Sequence, residues 1–175
     1  MTFHETKVPK VFEICLEPQF DERGFFARTW CQKECERHGL NPKLVQCSVS
    51  VTTRKGTLRG LHYQQDPYAE AKLVRCTKGS IYDVVVDLRA GSPAFKHWIG
   101  VVLTAENRKM VYVPEGCAHG FLTLEGGCEV FYQMSEFYNA DSTRGVRWDD
   151  PAFEIQWPER IQVISERDRG YPNFR

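Results

Sequence analysis

The chain has 175 residues, enough for one domain with its own core, and its 42% hydrophobic and 13% aromatic content excludes a disordered chain. Lys and Arg number 23 against 23 Asp and Glu, so the charge balance points to neither a nucleic-acid nor an anionic-membrane surface, although a small anionic ligand needs only two or three local cations. No apolar run approaches the ~18 residues of a membrane span, and the opening MTFHETKVPK lacks the apolar core of a signal peptide, so a cytoplasmic protein is expected.

Residues 7–18 read as extended, with Val8, Val11, Ile14 and Leu16 in loose alternation, and Pro9 and Pro18 suit an edge or an arm. Phe20 to Phe26 is a turn followed by an aromatic pair. Thr29 is positioned to cap a short helix over 30–38, closed by Gly39. From Leu44 the period becomes two, with Val45, Cys47 and Val49 alternating with Gln46, Ser48 and Ser50. Strands are then expected at 57–64, 71–77, 80–88, 97–103, 110–113, 119–124 and 128–135, separated by turn chemistry such as Lys78-Gly79 and Gly126-Gly127. Many short strands at close spacing predict an all-β sandwich or barrel. Val84–Val86 is apolar on both faces, as a strand central to a closed structure is expected to be. After 140 the chain turns irregular. The organisation is one domain over 1–175: an N-terminal arm (1–30), a barrel core (40–140) and a C-terminal segment (141–175).

The seven cysteines are odd in number and show no pair of spaced C-x-x-C knuckles. They read as reduced thiols packed as small apolar side chains, with zinc as the lesser alternative.

Chemistry concentrates in Gly56-Thr57-Leu58-Arg59-Gly60-Leu61-His62-Tyr63-Gln64, with Lys72, His119 and Tyr132 on later strands. Arg and His within a β pattern are costly to bury without partners. The spacing G-x5-H-x-Q and the later Pro114-x-Gly116-x-x-His119 resemble the two signature segments of the cupin superfamily, double-stranded β-helix (jelly-roll) barrels. Gln64 stands where metal-binding cupins carry a second His. Glu70, the acid available to complete a set with His62 and His119, has Lys72 two residues away, whose ammonium opposes a cation. The expectation is a cupin without a metal or other cofactor.

The stretches LRGLHYQ, KLVRCTKGSIYDVVVDLRAGSP, VPEGCAHGF, VFYQMSEFY and RGVRWDDP, in this order, resemble the dTDP-4-dehydrorhamnose 3,5-epimerase family of nucleotide-sugar epimerases. The resemblance implies an isomerase that inverts C3 and C5 of a dTDP-linked 4-keto-6-deoxy sugar, as in deoxysugar biosynthesis. Such inversion needs a base on one face, a stabiliser of the enolate oxygen and an acid on the other face. The resemblance assigns His62 as base with Asp168 as its partner, Lys72 as enolate stabiliser and Tyr132 as acid. It implies substrate contacts by Arg59 and Arg23, as diphosphate clamps, and by Phe26, Gln46, His119 and Tyr138. Arg23 would reach the nucleotide from a neighbouring subunit, which implies a homodimer with exchanged N-terminal arms.

Each assignment has a structural alternative. Ser165-x-x-Asp168 also reads as a helix-capping pair. Lys72 also reads as a solvated strand-end lysine, Arg23 as a surface arginine, and His119 as a satisfied barrel-lining histidine. Tyr132 shares a strand face with Val130 and Met134, so periodicity alone favours a core tyrosine, and only its position within the family pattern makes it an acid. Two places depart from the family pattern: Arg28 stands where a Glu is common, and Gln46-Cys47-Ser48-Val49-Ser50 stands where Q-D-N-H-S is common. A monoepimerase at C3 or C5, a cupin that binds a nucleotide sugar without turnover, and a metal-dependent cupin remain as alternatives.

Overall fold

The structure is a computed structural model that describes residues 1–174. In chain order its elements are β1 (Thr2–Glu5), β2 (Phe12–Cys15), β3 (Gln19–Asp21), β4 (Gly24–Phe26), α1 (Gln32–Arg37), β5 (Gln46–Thr52), β6 (Thr57–Gln64), β7 (Lys72–Lys78), β8 (Ser80–Asp87), β9 (Trp98–Thr104), β10 (Met110–Val113), β11 (Cys117–Thr123), β12 (Cys128–Met134), β13 (Thr143–Gly145), β14 (Val163–Ile164) and α2 (Glu166–Arg169). One sheet runs β1-β2-β10-β7-β12-β5 and the other β13-β6-β11-β8-β9, with β14 beside β6 in parallel. This is the expected all-β jelly roll. It differs from a closed barrel, because β1 and β5 remain as edges of the first sheet and β9 and β13 as edges of the second.

Three apolar clusters explain the layering. Val74, Val85, Phe121 and Val130 fill the space between the sheets. Phe12, Ile14, Leu73, Met110 and Tyr112 lie on the outer face of the first sheet, under α1. Leu61, Val84, Val86 and Ala118 lie on the outer face of the second, under Val146 and Phe153 of the C-terminal segment. Both faces of β8 are therefore covered, which is why its apolar run is continuous. Full burial of each such side chain stabilises by about 1.5–3 kcal/mol. Among the described residues no helix is long and apolar enough to cross a membrane.

The central strands lie within two residues of their expected limits. The N-terminal reading needs two corrections. First, β2 is an interior strand paired with both β1 and β10, not an edge or arm. Pro9 and Pro18 fall outside it, so neither removes a ladder bond. Only the β3–β4 hairpin stands apart, with Phe20 and Phe26 about three-quarters exposed. Second, Thr29 does not cap α1. Cys31 is the N-cap, with extended backbone and no side-chain bond, and Thr29 lies two residues too early to reach the first free amides. The other end is as expected: Gly39 adopts φ +63°, Gly39 N–H donates to Glu36 O and Leu40 N–H to Cys35 O, and Leu40 packs in the same cluster as Cys35.

The two sheet strands β6 and β11 touch backbone to backbone. A Cβ on Gly60 would lie 2.6 Å from Gly120 Cα, and one on Gly120 would lie 2.7 Å from Arg59 O. Replacing Gly120 with Ala is therefore expected to force the strands apart and destabilise by at least about 1–3 kcal/mol, read from denaturant unfolding. An unchanged midpoint would show that the strands have slack.

Candidate active site

β6 carries the chemistry because it is irregular. His62 pairs with His119 of β11, but Arg59 pairs with Phe121, so three steps on β6 match two on β11. In a regular strand, residues three apart point to opposite faces. The bulge at Gly60-Leu61 re-aims the chain, and Arg59 and His62 both face one pocket of about 500 Å³. Ser50, Tyr132, Arg167 and Asp168 also line it. The size suits a small-molecule ligand.

His62 Nε2 lies 2.7 Å from Asp168 Oδ1. Asp168 is buried, and its Oδ2 accepts the Gly60 N–H at 3.2 Å. Its own N–H donates to Ser165 Oγ at 3.1 Å, which caps α2. Both readings of Ser165-x-x-Asp168 therefore hold at once: the backbone is capped and the carboxylate turns to the imidazole. Burial pushes the Asp168 carboxyl up, but bonds from His62, Gly60 and Ser165 outweigh this and hold it below the usual range. With Nε2 committed to the carboxylate, His62 has Nδ1 left for a proton from a ligand.

Tyr132 enters from the facing sheet. Its ring stands edge-on to His119, centroids 6.2 Å apart, and packs against the inter-sheet core. The residue keeps some solvent contact, yet its phenol is densely surrounded. Burial, then the negative charge of Asp83, raise the phenol far above its ordinary range; Arg59 opposes this and the Ser50 hydroxyl eases it without closing a hydrogen bond. The group is a neutral O–H donor at physiological pH. His119 is buried, with Nε2 2.8 Å from Asp83 Oδ2.

Lys72 is mostly buried. Its Nζ lies 3.4 Å from the His62 carbonyl oxygen and 3.1 Å from Glu70 Oε1, so it is not the solvated lysine of the alternative reading. Glu70 is spent on that pair and does not join His62 and His119. Gln64 turns to the loops: its amide donates to Tyr68 O and Phe137 O and accepts from Asn139 N–H. Among the described residues no three His, Cys, Asp or Glu side chains converge as a metal-ligand set.

Around the pocket rim, Arg59 is braced by Thr52 Oγ1 at 2.9 Å and Val51 O at 3.2 Å. Gln46 Oε1 accepts the Tyr138 N–H at 3.0 Å, and the Tyr138 ring is exposed. Arg23 and Phe26 are not brought to this pocket within the chain. Arg23 sits at the hairpin tip, 84% exposed and bonded to Asp21, and Phe26 is exposed. Arg28 pairs with Glu34 at 3.2 Å.

A family model described as dTDP-4-dehydrorhamnose 3,5-epimerase matches residues 5–175. The chain belongs to this family. It is 43% identical to the dTDP-4-dehydrorhamnose 3,5-epimerase of Shigella flexneri, over 99% of this chain and 96% of that one. It superposes on a crystal structure of the Bacillus anthracis epimerase with TDP and PPi bound, at a TM-score of 0.94 and 40% identity over 99% of each chain. It also resembles a 3'-monoepimerase from Streptomyces bikiniensis in complex with dTDP-quinovose, at a TM-score of 0.86 and 32% identity over 97% of this chain and 86% of that one.

Sequence reasoning about this epimerase-family chain missed three residues of the site. Asp83 had a signal, as a lone acid inside an apolar strand, where a buried carboxylate demands a partner. Arg167 and Ser50 had none, because loop placement and sheet pairing decide them.

The lowered Asp168 carboxyl makes a pH prediction. A group depressed in the folded state contributes stability above its unfolded range, and that contribution is lost as pH falls through the folded value. Asp168→Asn is therefore expected to flatten the acid limb of a melting-temperature profile relative to wild type, while a parallel profile would show that another carboxylate controls it.

Proposed function

We propose that the protein is a metal-independent epimerase of a dTDP-linked 4-keto-6-deoxy sugar, acting at C3 and C5 in the cytoplasm. The observation that carries this is the pair of His62 on β6 with Asp168 on α2, and a protonated phenol from the facing sheet, lining one pocket. His62 Nδ1 takes the proton next to the ketone, and the electron pair moves into the carbonyl to give the enolate. The Lys72 ammonium offsets the charge on that oxygen. Tyr132 returns a proton from the opposite face, the phenolate regains one from solvent, and the imidazolium of His62 gives its proton up to solvent. Imidazole suits the first step because it titrates near neutral pH, and the Asp168 carboxylate stabilises the imidazolium that forms. Arg59 and Arg167 clamp the diphosphate in this reading, which their place in the lining of the same pocket supports.

The β3–β4 hairpin supports the dimer reading. Among the described residues the side chains of its exposed Phe20, Arg23 and Phe26 make no aromatic, hydrogen-bond or ion-pair contact beyond Asp21 and Phe25, so we assign them to the nucleotide site of a second subunit. Similarity to a 3'-monoepimerase favours one second reading, inversion at a single centre, since both reactions use the same base and enolate stabiliser.

Deuterium wash-in from heavy water tests the reaction. Wild type is expected to label C3 and C5, and labelling of neither overturns the proposal. His62→Asn is expected to lower exchange by about 10²–10⁴-fold. Tyr132→Phe is expected to keep exchange at the His62 face while losing net inversion. Lys72→Ala is expected to cost about 2.7–4 kcal/mol in kcat with little change in KM. For the arms, mixing Arg23→Ala and His62→Asn subunits is expected to restore activity through one intact composite site. No recovery in a verified mixed dimer would refute the exchange.

A further inference from the structure

Asp83 differs from the other buried acids of this chain. Asp87 is held by Arg89 and Ser92, and Asp150 caps backbone amides of Ala152 and Phe174, so both have structural work. Among the described residues Asp83 bonds no cation other than an imidazole and no amide. Its single partner is His119 Nε2 at 2.8 Å, and its Oδ1 is buried with no partner. Leaving a buried acceptor unsatisfied is costly, and packing alone gives no reason for a carboxylate between Tyr82 and Val84. Asp83 and His119 lie on the inter-sheet side of β8 and β11, where Tyr132 stands, and His119 is the registered neighbour of His62. Two imidazole–carboxylate pairs thus stand side by side, one open to the pocket and one buried edge-on to Tyr132.

Both imidazoles turn Nε2 to a carboxylate and leave Nδ1 over. A carboxylate accepts, so the hydrogen on His119 sits at Nε2. In the neutral ring Nδ1 then keeps a lone pair, and it bonds nothing among the described residues. The epimerase reading gives the ketone oxygen to Lys72, which leaves His119 free to meet a donor. We propose that Asp83 is a positioning residue that fixes His119 in the Nε2–H form, so that Nδ1 accepts a hydrogen bond from one ring hydroxyl of the sugar and selects substrates carrying it. This deepens the epimerase reading and rests on it.

The test reads deuterium entry at C5, as kcat/KM, for three substrates: a dTDP-linked 4-keto-6-deoxyhexose and its 2-deoxy and 3-deoxy analogues. Asp83→Asn lets the amide donate into Nε2 and drive the proton to Nδ1. It is expected to lower exchange about tenfold to hundredfold on the parent and on the analogue keeping the read hydroxyl, with no penalty on the analogue lacking it. His119→Phe keeps a ring without nitrogens and is expected to give the same pattern, and the double variant to be no worse than either single one. If Asp83→Asn does not fold by thermal melting, His119→Phe on the same three substrates decides. A uniform penalty across the three, or none on any, overturns this inference while wild-type exchange leaves the epimerase reading standing. Absence of wild-type exchange on the parent overturns both.

Discussion

The site depends on how closely β6 and β11 approach each other. Gly60 and Gly120 let two backbones meet where any side chain would hold them apart. That contact accommodates the bulge, and the bulge turns Arg59 and His62 to the same side. It also leaves the Gly60 N–H outside the regular ladder, where Asp168 accepts it. A local irregularity of one strand thus fixes the imidazole, a guanidinium and the anchor of the carboxylate together.

The C-terminal segment completes what β6 begins. β13 pairs with the His62–Gln64 half of the strand and β14 with the Thr57–Leu58 half. Between them, α2 delivers Asp168 across 106 residues of sequence. The same segment covers Val84 and Val86 with Phe153, so the apolar burial that secures the second sheet also holds the acid in place. Stability and site geometry here share one set of contacts.

Charge is distributed with equal economy. Glu70 and Lys72 are both mostly buried and neutralise each other beside the His62 carbonyl. Breaking one partner of such a pair leaves an uncompensated charge, which is why the ammonium stays poised at that depth. Burial around the Tyr132 hydroxyl keeps the phenol protonated. The buried Asp83 beside it strengthens that tendency.

Much of this was legible in the sequence. Period-two alternation and turn residues marked the central strands because half-buried strands impose that pattern, and short motifs in fixed order marked the family. Terminal elements were less legible: Pro9 and Pro18 suggest an edge when read locally, yet β2 is interior because the prolines fall outside the ladder. By itself the sequence determined the all-β class and which side chains have the chemistry. Only the tertiary structure decided which of them meet. Strand periodicity sends Arg59 and His62 apart until a bulge is allowed for, and no local pattern places Asp83 behind His119 or Arg23 away from its own pocket, since pairing between distant strands is set by long-range packing rather than by neighbours in the chain.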